Sequence, residues 1–300
     1  MASRITDPVR PAVVLAGTGP AAPAVAVVAT PSGLSLDPLG SAAGAIGYLG
    51  GSAMLVVGAL GACARPRGSA QGIVPATVAQ VDRLVVMGVP VVALVHVGMG
   101  SFLAMQAYFG ATFIDGIGPL VGVGLIRNLA PMLAGFILAG LVAALNVAEL
   151  RGRDRTPLEA DDPARLAAAR MLAAMVAGPI LGAWGSLVGT LVGFVTANSM
   201  IGLSAPGFFD VFLEMLWVRD IIGLVVKGAG FGLVAAIWSC HEGLAQAGPE
   251  GHPPGSVGHA ACRAWTLSGL ALLMMNAGWF LLVYHAGAPF GPTVLTPPGR

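Results

Sequence analysis

Charged residues in this chain are confined to short clusters, and the stretches between them are long and apolar. Roughly 84–109, 120–148, 168–195, 219–240 and 263–285 are dominated by Leu, Val, Ala, Gly and Met. Each is at least about the ~20 residues an α-helix needs to cross ~30 Å of hydrocarbon. The pattern therefore predicts five membrane-spanning helices within 65–290. A sixth apolar stretch, 37–64, has no charge after Asp37 and many glycines. It is expected to lie in the interface, or to re-enter it, rather than to span. Residues 1–36 carry prolines at 8, 11, 20, 23 and 31, and proline at that density breaks helices, so a mobile tail is expected there. The short apolar run at 12–17, preceded by Asp7, departs from the signal-peptide pattern. Residues 291–300 read as a second tail.

Composition agrees with an all-α, multi-pass membrane protein. The 300 residues are 56% hydrophobic and 10% charged, against about 25% charged for an average soluble domain. No basic patch interleaved with aromatics is present, so nucleic-acid binding has no support. Glycine makes up 44 residues, about twice the usual share. In lipid, small residues let helices approach closely. Gly178, Gly182, Gly185, Gly189 and Gly193 recur at helical spacing on one face, as do Gly228 and Gly232. Close packing within the chain and a seam between two copies are both compatible with that stripe. Three cysteines match no zinc or CxxC spacing, and no cofactor or metal is implied.

Charge distribution orients the chain. Arg65, Arg67, Arg83, Arg151, Arg153, Arg155, Arg165, Arg170 and Arg263 all fall in alternate connections or at their borders, whereas 110–118 and 196–218 hold no Lys or Arg. By the positive-inside rule, 64–83, 149–170 and 241–263 face the cytoplasm and the C-terminus faces out.

Two cations break the apolar runs. Arg127 sits within the second span, and Lys227, the chain's single lysine, within the fourth. A charge in hydrocarbon costs several kcal/mol or more and usually has a task. Asp220 lies seven residues before Lys227, close to two helical turns, so both project the same way. One reading is structural, with Asp220 or Glu214 neutralising the cations. The other is a pocket for an anionic headgroup, to which Asn128, Gln106 and Tyr108 add hydrogen bonds. His241-Glu242 begins a zincin-like motif, but Ala245 stands where the second histidine belongs. No nucleophile–base set emerges, and there is no P-loop. The chain reads as a transporter subunit, not an enzyme.

The order of motifs resembles the MlaE/YrbE permeases, the membrane subunits of Mce-type lipid ABC transporters. Leu103-Ala104-Met105-Gln106 is similar to that family's Leu-x-Leu-Gln. Arg127-Asn128-Leu129-Ala130-Pro131 resembles Arg-Glu-Leu-Gly-Pro. Ala139-Gly140-Leu141 and Ala148-Glu149-Leu150-Arg151 resemble the Ala-Gly-Arg and Ala-Ala-Glu-Leu-Gly stretch. Asp220, Lys227-Gly228, Phe231-Gly232 and Cys240-His241-Glu242-Gly243 follow the family's later run, and Ser256-Val257-Gly258 stands for its closing Gly-Val-Gly. The likeness covers roughly 70–286.

The resemblance implies an interfacial helix followed by five spans in the plasma membrane. It also implies a second permease subunit, identical or not, a separate cytoplasmic ABC ATPase, Mce or MlaD-like proteins forming a lipid conduit, and a lipid cargo. It places cavity-lining groups at Arg127, Asn128 and Lys227, and ATPase coupling at Glu149, Leu150, Arg151, Asp154 and Arg155. Departures bear on both. Asn128 replaces the family's glutamate and Leu141 its second arginine. The stretch 151–162 is shorter than the family's coupling helix and contains Pro157. A scaffold subunit that completes the complex without driving it is therefore the competing expectation.

Overall fold

The computed structural model describes residues 38–64, 72–110, 122–152, 163–245 and 256–285. The proposed tails, with Asp154 and Arg155, lie outside the described residues. Those described form helices α1 (Pro38–Ala64), α2 (Ile73–Gly110), α3 (Ala130–Gly152), α4 (Pro163–Ile201), α5 (Ala205–Met215), α6 (Val218–Leu244) and α7 (Val257–Trp279). A π-helical turn, Leu125–Leu129, runs directly into α3, and a second, Phe280–His285, extends α7. No β-strand occurs among the described residues. The chain is an all-α, multi-pass membrane protein, as its hydropathy pattern predicts.

The helices outrun the apolar stretches. α2 begins at Ile73 and α4 at Pro163, each several residues before its apolar run. Apolarity marks where a helix meets hydrocarbon; its backbone hydrogen bonds continue into the polar layer beyond. Six helices, α1 included, are long and apolar enough to cross a membrane.

α4 forms the centre, with α2 on one side and α6 on the other; α3 packs on both α4 and α6, and α7 closes over α3 and α6. Glycine makes these contacts possible. A Cβ on Gly178 or Gly232 would overlap the carbonyl of Gly228 or Ala174 across the α4–α6 contact. About two turns further along α4, a Cβ on Gly185 would lie 2.6 Å from the buried His96 ring of α2. The glycine stripe thus serves packing within one chain.

α5 sits in the 196–218 connection, which the hydropathy pattern leaves without an element. Gly202, at φ +66°, turns the chain after α4, a left-handed conformation that suits glycine. The Ser204 hydroxyl accepts from Gly207 N at 3.3 Å. Phe208 and Phe212 are buried, with Phe212 packed beside Val123 and Leu216, and Asp210 and Glu214 stay exposed.

Side-chain pairing separates the two ends of the bundle. At one end, the start of α2, the end of α3, the start of α4, the end of α6 and the start of α7 meet through Glu149 and Glu242. At the other, Arg127 meets Asp220. α1 belongs to the first end twice over. Its Tyr48 bonds Glu242, and only residues 65–72 separate Ala64 from the start of α2.

Candidate functional site

The sequence around Arg127 dictates an unusual backbone. Pro131 has no N–H, so the Arg127 carbonyl cannot accept the i+4 bond of an α-helix, and the ring also crowds that carbonyl. The chain responds with the π turn, in which Ala130 N–H reaches Leu125 O. Lys227 of α6 serves the carbonyl that proline strips, its Nζ donating to Arg127 O at 2.5 Å. The ammonium also lies 5.5 Å from the Phe280 ring, a cation–π distance.

Arg127 is held by its counter-charge. Nε and one terminal nitrogen donate to the two Asp220 oxygens at 3.0 and 2.9 Å. Asp220 is 1% exposed and also accepts from Trp217 N at 3.1 Å. It lies in the first turn of α6, where the helix dipole favours an anion. Of the two carboxylates considered from sequence, Asp220 makes the pair and Glu214 is exposed on α5. The Arg127 side chain remains 28% exposed. The site therefore comprises a bidentate ion pair with a partly exposed guanidinium and, about two turns along α6 from Asp220, a lysine.

Asn128 Oδ1 and Asn276 Oδ1 are buried without a hydrogen-bond partner among the described residues. Asn276 faces Met132, with Nδ2 3.8 Å from the sulfur. Trp279 packs against Gly223 of α6. Gln106 and Tyr108 are exposed on the last turns of α2, Tyr108 edge-on to Phe109 at 5.2 Å. No hydrogen bond joins either to Arg127 or Lys227 among the described residues. Asn276 and Trp279 were not singled out by the sequence; an isolated Asn or Trp at the end of an apolar run gives little signal there.

The opposite end is clasped by two carboxylates. Glu149 pairs with Arg83 and, at 3.0 Å, with Arg170, joining α2, α3 and α4. Glu242 is 0% exposed. Its oxygens accept from the Tyr48 hydroxyl and from Arg263, both at 2.6 Å. Arg151 donates twice to the Glu242 backbone carbonyl, at 3.0 and 2.9 Å. Leu150 packs against Gly243, where a Cβ would lie 2.8 Å from its Cδ1. Glu149, Leu150 and Arg151 thus fix the end of α3 onto its neighbours and hold the point from which 153–162 departs. The sequence offers Glu242 as half of a zincin-like motif and as part of the Cys240-His241-Glu242-Gly243 run, and neither reveals this clasp. Among the described residues no group of three or more His, Cys, Asp or Glu is placed to hold a metal.

The family described as Permease MlaE matches residues 77–282. A probable ABC transporter permease protein of Rickettsia typhi is 29% identical over 197 residues, covering 62% of this chain and 74% of its own. A probable ABC transporter permease protein of Rickettsia prowazekii is 28% identical over 197 residues, with 62% and 74% covered. One from Synechocystis is 28% identical over 199 residues, covering 62% of this chain and 73% of its own.

Proposed function

The chain belongs to the MlaE permease family and is a permease subunit of an ABC transporter; from that premise we propose that its cargo is a lipid with an acidic head. The observation carrying this reading is the gathering of Arg127, Asp220 and Lys227 at one end of an otherwise apolar bundle. Burying three charges in a membrane is costly, and such residues mark ligand paths more often than packing. Arg127 keeps its exposure toward the bundle end, so an acidic head can meet the guanidinium without first breaking the Asp220 pair. The apolar sides of α2, α3 and α6 supply walls for acyl chains. Asn128 supplies hydrogen bonding beside it, and Gln106 and Tyr108 stand at the rim on α2.

The end bearing Arg83, Arg151, Arg170 and Arg263 faces the cytoplasm, following the positive-inside rule, in the plasma membrane with the C-terminus outside. α1 lies along the cytoplasmic interface, since Tyr48 and the short connection after Ala64 both belong to that end. A cytoplasmic ATPase docks on 153–162, Asp154 and Arg155 included, and Glu149, Leu150 and Arg151 transmit its movement. A second permease subunit completes the cavity, and Mce-type conduit proteins take up the lipid.

The test is the lipid content of the purified protein. Arg127→Met with Lys227→Met is expected to lower co-purified acidic lipid several-fold while leaving zwitterionic lipid unchanged. Unaltered acidic lipid in a folded double variant would reduce the two cations to helix-packing roles.

A further inference from the structure

A second polar cluster lies at the bundle end opposite Arg127, and the proposed cargo pocket makes no use of it. Tyr48 of α1 is its centre. Trp238 stacks on the Tyr48 ring at 5.4 Å, His241 meets it edge-on at 4.5 Å, and the Arg263 guanidinium lies 5.8 Å from its centroid. Two helices, α6 and α7, therefore converge on one residue of α1.

Both oxygens of the one carboxylate in this cluster are already engaged. One Glu242 oxygen takes the Tyr48 hydroxyl and the other takes Arg263, each at 2.6 Å. Arg151 also approaches that second oxygen, at 3.9 Å, so a single carboxylate faces two guanidiniums. What remains is nitrogen. Trp238 Nε1, His241 Nε2 and Arg263 Nε are buried and have no hydrogen-bond partner among the described residues. His241 is 4% exposed. Indole and guanidinium nitrogens only donate, and imidazole Nε2 donates in one of its two neutral tautomers and in the cation. An unmade buried hydrogen bond is costly, and here three occur around one ring.

A group that satisfies them carries acceptors and negative charge. A phosphate does both, with charge-assisted bonds to Arg263, whereas a neutral amide or alcohol brings no charge to set against the two guanidiniums that share the Glu242 carboxylate. α1 also carries an exposed apolar face open to acyl chains, with Ile46 71% and Leu49 57% exposed. We propose that the α1–α6–α7 junction around Tyr48 binds the phosphate headgroup of a membrane lipid, which pins α1 to the bundle at a site separate from the cargo pocket.

The experiment uses the full chain in detergent, with bound molecules counted by native mass spectrometry. Three probes are titrated: short-chain phosphatidylglycerol, a diacylglycerol of the same chains, and inorganic phosphate. The main variant joins Trp238→Phe to Arg263→Lys, keeping the stack on Tyr48 and a cation for Glu242 while removing two donors. Phosphatidylglycerol is expected to bind the double variant about tenfold more weakly than the parent, or worse, given the size of one lost charged hydrogen bond. Trp238→Phe alone should give a smaller loss in the same direction, with thermal unfolding confirming that both variants fold. Arg127→Met should leave this binding step intact, which separates it from the cargo pocket. Equal binding by parent and double variant overturns the site. Diacylglycerol binding as tightly as phosphatidylglycerol overturns the anionic ligand, and inorganic phosphate displacing the lipid at equal concentration overturns the lipid as its source.

Discussion

Pro131 explains why a lysine stands inside a membrane span. The proline leaves the Arg127 carbonyl without its helical donor, and Lys227 supplies one from α6. The two positions should therefore couple. Lys227→Met leaves a buried carbonyl unserved, at a cost of about 1–3 kcal/mol. Pro131→Ala returns the missing N–H, so the same lysine change in that background should cost at least about 1 kcal/mol less, a coupling that a double-mutant cycle measures. Strict additivity in denaturant unfolding would mean the proline and the lysine act independently. Asp220 gives a second test at this scale. Asp220→Asn strips Arg127 of a buried partner and should cost about 3–5 kcal/mol, whereas Glu214→Gln on the exposed face of α5 should fall within about 0.5 kcal/mol. If both changes have equal effects on the unfolding midpoint, Asp220 is not the counter-charge that matters. The cations themselves were legible in the sequence because charge is conspicuous in an apolar run. Asp220 was legible as one of two candidates through its spacing from Lys227. The partner of Lys227 was not, since it is a backbone carbonyl whose availability depends on a proline in another helix. Tyr48 and Glu242 were equally hidden, being 194 residues apart in the chain.

Among the elements, glycine divides into positions that hold helices together and positions that do not. Gly232 on α6 meets the Ala174 carbonyl of α4 so closely that a methyl group has no room, while the surroundings of Gly98 on α2 are open. Gly232→Ala should therefore destabilise by the overpacking cost of about 1–3 kcal/mol or more. Gly98→Ala, at a helical site with space, should be neutral or stabilising by up to about 1 kcal/mol, the difference in helix propensity. Thermal unfolding of the two variants side by side decides between them; a harmless Gly232→Ala would show that α4 and α6 can separate without penalty. The same distinction explains what the hydropathy pattern reached. It located the long apolar helices because burial in lipid demands about twenty apolar residues, a signal carried by each segment alone. It did not locate helix ends, which extend into polar sequence, nor α5, whose eleven residues are too few to register against a bilayer. Nor could it tell whether the glycine stripe faces a neighbouring helix or a second copy, because either neighbour requires the same small residues.

For the whole molecule, α6 is the physical link between the two ends. It runs from Asp220 and Lys227 at the proposed cargo site to Glu242 in the opposite clasp without a proline. Twenty-two residues at 1.5 Å each carry it about 33 Å, roughly the thickness of the hydrocarbon layer. α2 and α4, in contrast, contain Pro90 and Pro179, each of which removes a helical hydrogen bond and permits bending. A rigid α6 moving against bendable neighbours would carry displacement from Glu242 to Lys227, and Glu242 holds α1, α7 and, through Arg151, the end of α3. Two variants of the complex with its ATPase separate docking from transmission. Replacing 153–162 with a Gly/Ser linker should abolish co-purification of the ATPase. Glu242→Gln keeps the shape of the side chain but removes its charge, so the ATPase should remain bound and hydrolyse ATP while the proposed lipid cargo moved per ATP falls several-fold. If the linker variant retains the ATPase, docking lies elsewhere on the cytoplasmic face. If Glu242→Gln moves lipid at the parental ratio, the clasp only fastens helices, and α6 does not carry the stroke.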